Sequence, residues 1–409
     1  MPTQMSKPQG RVISIDVFRG FFLFIMVLVH FVIAYSSEEA TNSFLYFFFD
    51  DALADWGAAS FLLMMGISQV LSAKRVGDVD NLLLFKRALL RGTYIFMVGL
   101  LMLACAWGFE ELWVWDILTL MGVATIVLFF CRFLPSWLLL GVVIAVALVT
   151  PHLRGFFDLA ANWGGGFEGM PFISYHVPGM FVTPLSEYAS SWQFTEVMRG
   201  FFLAGFFPVM PWIIFPIIGL VLGRRLVHGK LRRDLPLLWI VGLLFICSAF
   251  IIAHLGKAKL PSSVVSDLIS PMCFYPDSFS MINFQVGMSI FVFGILYFLF
   301  DVRKKDKANI GPISRLFTRT SNFSLTFYFL HYMMIGWPLK IIPLFSGNDK
   351  FDPFFGALAS LLLGIAAVAV LEVILYYWER KHSVYSLEWV LTKLTKLVFP
   401  GYERSVRKV

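Results

Sequence analysis

Apolar residues run through this chain in stretches of about 20, the length that carries a helix across a bilayer, separated by short polar connections. The stretches fall at 15–35, 56–73, 92–108, 116–131, 136–151, 197–223, 236–254, 283–301, 321–339 and 354–378. The pattern predicts an all-α polytopic transmembrane bundle of about ten helices. Pro208, Pro211 and Pro216 fall inside the sixth stretch and predict a broken helix there. A few polar residues interrupt the apolar runs: Asp16, Arg19 and His30 in the first, His331 in the ninth, Glu372 in the last. Ionisable groups at membrane depth are costly and mark functional sites more often than not. His30 lies eleven positions after Arg19. On a helix that spacing returns to within roughly 20° of the same face, about 16 Å further along.

Composition and charge sharpen this picture. The chain of 409 residues is 58% hydrophobic and 14% charged, against about 25% charged in soluble domains. The net charge of +7 is not spread evenly. With the amino terminus placed inside, 27 of the 33 Lys and Arg residues fall in inside segments, a positive-inside bias. These residues read as topology determinants lying against anionic headgroups, and nucleic-acid binding is not needed to explain them. Both termini are expected in the cytoplasm and the bilayer is the main partner. The first stretch is too long, and carries too much charge, for a cleaved signal peptide. Residues 1–379 read as the transmembrane domain and 380–409 as a cytoplasmic tail. In that tail Leu387, Val390, Leu391, Leu394, Leu397 and Val398 recur at helical spacing, predicting an amphipathic helix.

The four cysteines, Cys105, Cys131, Cys247 and Cys273, have neither metal-ligand spacing nor a disulfide framework. No metal is expected. The long segment 152–196 carries Asn162-Trp163-Gly164-Gly165-Gly166, Tyr175, His176, Tyr188 and Trp192, aromatic residues that suit either a sugar or a membrane interface.

Histidine is the side chain whose ordinary pKa suits proton abstraction near neutrality, so His30 is the first candidate for a general base and His331 the second. Asp16 and Arg19, three apart, lie on one helix face, where Arg19 offers a fork for a phosphate. Asp50, Asp51 and Asp55 precede the second span and suit orientation of a histidine or binding of an ammonium group. Asp116 stands where an N-cap of the fourth helix is expected. Glu379 is expected to pair with Arg380 or Lys381.

Several stretches carry a resemblance. Arg11-Val12-Ile13-Ser14-Ile15-Asp16-Val17-Phe18-Arg19-Gly20, followed by Met26-Val27-Leu28-Val29-His30, resembles the first helix of bacterial relatives of heparan-α-glucosaminide N-acetyltransferase. The run Gly57 to Ser68 is similar to the second helix of that family, and Asp116-Ile117-Leu118-Thr119-Leu120-Met121-Gly122 to the start of its fourth. Pro211-Trp212, Tyr275-Pro276-Asp277-Ser278 and Phe327-Tyr328-Phe329-Leu330-His331 are similar to further elements, in the same order. The Arg19-x10-His30 spacing also matches the first-helix motif of the broader acyltransferase-3 superfamily. The resemblance implies a transmembrane acyltransferase of the bacterial inner membrane, with acetyl-CoA or another acyl-CoA as cytosolic donor. The acceptor it implies is a carbohydrate or amine on the far side of the membrane. It makes Arg19 and His30 essential, and a homodimer is a candidate assembly. The chain departs from the eukaryotic enzyme in one respect. The loop Phe49-Asp50-Asp51-Ala52-Leu53-Ala54-Asp55-Trp56 has no histidine where that enzyme has one, which moves the role of base to His30. The alternative reading is a proton-coupled transporter or flippase, since buried His and Asp also serve proton relays. Against it, the chain shows one Pro-rich span and no counterpart in the other half.

The charge distribution fixes an outcome for topology. Reporter tags at the two ends are expected to lie in the same, cytoplasmic compartment. Tags that report opposite compartments overturn the topology.

Overall fold

A computed structural model describes residues 12–76, 80–156, 192–256, 268–269, 272, 274, 277–303, 311–347 and 351–400. Among these the chain is helical, with no strand. The main helices are α1 (Ile13–Tyr35), α2 (Asp55–Val76), α3 (Asn81–Ala106), α4 (Ile117–Cys131), α5 (Ser136–Phe156) and α6 (Ile214–Val227). They continue with α7 (Leu231–Gly256), α8 (Phe279–Tyr297), α9 (Pro312–Asn322), α10 (Ser324–Ser346), α11 (Ala357–Arg380) and α12 (Leu387–Val398). Eight helical stretches among the described residues are long and apolar enough to cross a membrane. The other two expected spans are also helices, but of different character. α4 has 15 residues, and the 23 residues of α10 include His331, Pro338, Lys340 and Pro343. The expected start of the ninth span is shifted: the chain turns at Phe323, between α9 and α10. The sixth span is broken as its prolines predict. Helix from Phe194 ends at Ala204, Gly205–Pro208 is irregular, and a kink at Met210 precedes α6.

Leu237, Ile240, Leu244 and Ile251 of α7 and Leu358, Leu362, Val370 and Val373 of α11 are exposed. An outward apolar surface of this kind is what hydrocarbon solvates. Helix association in a bilayer then rests on close packing and polar contacts rather than on the hydrophobic effect. The α2–α6 crossing shows the packing at its closest. A Cβ built on Gly66 would lie 2.1 Å from the Pro216 carbonyl oxygen, and one on Gly219 the same distance from that of Leu63.

α1 sits at the centre, in contact with α2, α8, α9, α10 and α11, and Phe18, Phe22, Leu23 and Val27 are buried in the core. Its first amides have no intrahelical partner. Asp301 supplies one: Ile13 N–H donates to Oδ1 at 3.1 Å and Ser14 N–H to Oδ2 at 2.9 Å. We call the end of the bundle where α1 begins the basic face. At this face α12 lies against the start of α10. Leu325 and Thr326 N–H donate to Glu388 Oε1 at 2.7 and 3.0 Å, and the Tyr94 hydroxyl of α3 donates to the Leu387 carbonyl at 2.9 Å.

One carboxylate finds a partner other than the one the sequence suggests, and a second finds partners where the sequence suggested none. Glu379 pairs with Arg319 at 2.9 Å, not with its neighbours in sequence, because Arg319 on α9 is also turned toward Glu372 at 3.4 Å. Thr320 donates to Glu372 as well, which accounts for a carboxylate within the last span. The aromatic and glycine residues between 157 and 191, and Cys273, lie outside the described residues.

The α2–α6 contact generates a stability test. Gly66→Leu is expected to lower the thermal stability of the detergent-solubilised protein by about 1–3 kcal/mol or more, as over-packing does. Gly141→Ala, where an added Cβ meets nothing within 4 Å, is expected to be neutral. Equal melting temperatures for the two variants overturn the assignment.

Candidate functional site

α1 and α10 run side by side, and this brings together two histidines 301 residues apart in sequence. His30 Nδ1 and His331 Nε2 are 3.1 Å apart, with the rings stacked at 5.3 Å. His331 is fully buried, and its Nδ1 contacts the Tyr328 carbonyl oxygen one helical turn earlier. The carbonyl can only accept, so His331 carries its proton on Nδ1 and presents a bare Nε2. With both rings neutral, His30 donates from Nδ1 to that nitrogen. His30 Nε2 is left unprotonated, the form a general base requires. His30 lines a cavity of about 940 Å³ and His331 does not. The two candidate bases therefore differ in position: His30 can meet a ligand, and His331 stands behind it.

Tyr328 and Tyr332 lie on either side of His331 in sequence, and both donate to one carboxylate. Tyr328 Oη lies 3.1 and 3.0 Å from the two oxygens of Asp116, and Tyr332 Oη lies 2.9 Å from Oδ2. Asp116 is also the N-cap expected of α4, accepting from Leu118 N–H at 3.1 Å. One side chain thus starts α4 and fixes the tyrosines of α10. The sequence offered only the capping signal for Asp116. The tyrosine contacts could be suspected only from the Tyr-x-x-His spacing of an element 212 residues away.

Asp50, Asp55, Glu111 and Asp116 line the same cavity, with Lys340 and many apolar and aromatic side chains. Asp50 and Asp55 are buried at the junction of a helical segment, Phe48–Ala54, with α2. Two of the three proposed acceptor carboxylates therefore face the cavity; the side chain of Asp51 lies outside the described residues. Burial raises the Glu111 carboxyl above its ordinary range and neighbouring Glu110 adds to this, with Lys340 opposing.

A second cavity, of about 790 Å³, lies toward the basic face. Arg19, Arg87, Arg91, Arg132, Arg224 and Lys396 line it, and among the described residues no carboxylate does. Positive residues that set topology at this face thus also line a cavity. Arg19 donates to Ser68 Oγ on α2. Arg224 is spent on backbone, donating to the carbonyls of Leu134, Cys131 and Arg132 at 2.8–3.1 Å. Asp16 accepts from Ser321 Oγ at 3.2 Å and is not among the residues that line the cavity. This contact ties Asp16 to the end of α9. Phe61 of α2 lines both cavities, so the two meet at one apolar side chain.

In the Tyr-Pro-Asp-Ser element, Tyr275 and Pro276 lie outside the described residues. Ser278 caps α8 through Met281 N–H at 3.2 Å, and the Asp277 carbonyl accepts from Arg154 at 2.9 Å. Neither residue lines either of these two cavities. This element holds helices together.

Comparison with known proteins gives one result. The family model described as heparan-alpha-glucosaminide N-acetyltransferase, catalytic, matches residues 11–262. No curated protein matches the chain. The match includes Arg19, His30, Asp50, Asp55 and Asp116 and stops short of Tyr328, His331 and Tyr332.

Asp116 tests whether this polar cluster is one unit. Asp116→Ala removes a cap, worth about 1 kcal/mol, and takes the acceptor from the buried Tyr328 hydroxyl, at about 1–3 kcal/mol for an unsatisfied group, and from the half-buried Tyr332 hydroxyl. Asp116→Ser is expected to restore the cap alone and recover only part of the lost melting temperature. Full recovery would mean that the tyrosine contacts contribute nothing.

Proposed function

Because the chain belongs to the heparan-α-glucosaminide N-acetyltransferase family, we propose that it transfers an acetyl group from acetyl-CoA, bound from the cytoplasmic side in the basic cavity, to an amine or hydroxyl acceptor. The acceptor sits in the acidic cavity on the far side of the membrane. The observation that carries this reading is the pair of cavities of opposite polarity that meet at Phe61. A cavity with six cationic side chains and, among the described residues, no carboxylate suits the phosphates of a coenzyme A. Arginine forks are the preferred partners of such groups. The opposite cavity holds carboxylates and His30, which suits a polar acceptor that must lose a proton.

His30 is then the general base. Its Nε2 takes the proton from the acceptor as the acceptor's nitrogen or oxygen attacks the thioester carbonyl. The new bond to the acyl carbon forms, the C–S bond breaks, and the proton passes from His30 to the departing thiolate. His331 is a positioning residue: its Nε2 fixes the tautomer of His30 and supports the imidazolium that forms in mid-reaction. The axial rise of about 16 Å from Arg19 to His30 is comparable with an extended pantetheine arm, so α1 reaches both ends of the donor. Asp50 and Asp55 suit an acceptor that carries an ammonium group. The absence of the eukaryotic loop histidine points to an acceptor other than the amino sugar of heparan. No cysteine or serine motif accompanies His30, which favours direct transfer in a ternary complex over a stable acyl-enzyme.

His30→Ala is expected to lower acyl transfer, or acetyl-CoA hydrolysis where no acceptor is supplied, by about 10²–10⁴-fold, with CoA affinity retained. His331→Ala is expected to lose less and to displace the pH profile of turnover, because it acts only through His30. A loss much smaller than tenfold in His30→Ala moves the base elsewhere. Arg19→Ala is expected to weaken CoA binding and Arg19→Lys to restore it only in part; unchanged affinity in Arg19→Ala removes Arg19 from the donor site.

A further inference from the structure

The basic cavity is not closed by the transmembrane helices alone. Leu391, Thr392, Thr395 and Lys396 of α12, with Phe399 just beyond it, form part of its wall. We propose that α12 is a component of the donor site: Lys396 adds a cation to it, and Glu388 is the positioning residue that holds this wall against the bundle. The proposal rests on the reading of the basic cavity as the place where the coenzyme A phosphates bind.

The spacing on α12 gives the first support. Positions 388, 392, 395 and 399 recur at intervals of four, three and four, so they fall along one helical stripe. Glu388 begins that stripe, and the rest of it faces the cavity. Leu397 and Val398, off the stripe, are exposed. Fixing Glu388 therefore fixes which face of α12 the cavity sees.

Glu388 is fixed by an unusually complete set of contacts. Oε1 accepts from the first amides of α10, and Oε2 accepts from Thr326 Oγ1 at 2.5 Å. Thr326 Oγ1 in turn accepts from Leu387 N–H at 2.9 Å. These amides are the ones a helix start leaves without intrahelical partners, and a carboxylate there is favoured by the helix dipole as well. Ser324, immediately before them, also lines the cavity. The contact that holds α12 thus lies at the edge of the site it completes.

The connection from α11 supports a defined position for α12. His382, Ser383 and Tyr385 adopt φ values of 55°, 60° and 69°, a region that L side chains other than glycine seldom enter. Trp378 holds the turn together: its indole N–H donates to the Val384 carbonyl at 2.7 Å, and its carbonyl accepts from Ser383 N–H at 2.9 Å. Three residues in that region, pinned by one tryptophan, set the angle at which α12 returns to the bundle. A freely attached tail would not need them. The family match ends at residue 262, so it says nothing about this helix.

The test is titration of CoA into the full-length, detergent-purified protein by calorimetry, with donor KM and kcat measured alongside. Lys396→Met and Glu388→Ala are each expected to weaken CoA binding by about tenfold, the size of one charge-assisted contact. KM is expected to rise more than kcat falls, and Glu388→Gln, which keeps an acceptor oxygen, to recover part of the affinity. Leu397→Ala, on the exposed face of the same helix, is expected to bind CoA as the unaltered chain does. Hydrogen exchange on the unaltered protein gives a second readout that needs no variant: CoA is expected to slow exchange across residues 391–399. If CoA binds the unaltered chain and the Lys396 and Glu388 variants equally, or leaves exchange across 391–399 unchanged, α12 is no part of the site. If the unaltered chain binds no CoA, the donor reading of the cavity itself falls.

Discussion

Inside a bilayer a polar group has no water to turn to, so every one must be satisfied by the bundle itself. That constraint shapes this protein from its helix ends inward. Asp301 receives the first amides of α1, Glu388 those of α10, and Asp116 one amide of α4. Two of these three carboxylates come from segments far away in sequence, so capping here is also tertiary structure. With α1 and α10 each anchored at its start and held parallel, His30 and His331 fall level with one another. The register is repeated a turn further on, where the Tyr35 hydroxyl donates to the Ile335 carbonyl at 3.0 Å. The histidine pair follows from the way the two helices are capped, and the tautomer of His30 follows from the Tyr328 carbonyl behind the pair.

The same constraint explains why charge is sorted rather than scattered. The basic face gathers arginines because positive residues favour one side of a membrane. The cavity at this face is walled by α1, α2, α3, α4 and α6, with α10 and α12, and several of those side chains line it. Topology alone would have left them against headgroups. The opposite cavity gathers carboxylates at points where backbone irregularities occur, at the Phe48–Ala54 segment before α2 and at the Asp116 turn before α4. Irregular backbone at membrane depth is tolerated where it lines a cavity, and the same places, a departure from regular α-helix at Phe48–Ala54 and a helix start at Asp116, supply side chains that give that cavity its polarity.

The fold was largely legible in the sequence because span length, apolar run and proline interruption each act locally. All ten runs are helices, and the sixth breaks near its prolines. What escaped was everything that depends on which helix lies beside which. Arg19 and His30 stand out as polar residues within one apolar run, and both do line cavities. Their partners Ser68 and His331 lie on other helices, and no local pattern links them. Asp116 was visible as a cap but not as the acceptor for two tyrosines. Glu379 was expected to pair along its own helix, yet Arg319 approaches from α9, where it serves Glu372 as well. Asp16 also meets Ser321 on α9, a contact that no local pattern announces. The tail was legible as an amphipathic helix because its apolar spacing is regular. Its docking was not, since Glu388 finds amides 61–63 residues away.

The polarity of the two cavities also bears on the transporter alternative, which buried histidine and aspartate alone leave standing. A solute that crosses the bundle must be bound in turn by both cavities. An anion held by the arginines of the basic cavity would meet a lining of different chemistry beyond Phe61, with Asp50, Asp55, Glu111 and Asp116 as well as Lys340, and a cation would be repelled by the arginines on the other side. At low effective dielectric such a mismatch is a barrier rather than a path. Two different molecules that meet at the boundary face no such conflict, since each is matched to its own cavity and only the uncharged acyl group has to pass Phe61. Opposite polarity on the two sides of one apolar side chain fits group transfer between two ligands better than passage of one, and that is the chemistry of the family to which the chain belongs.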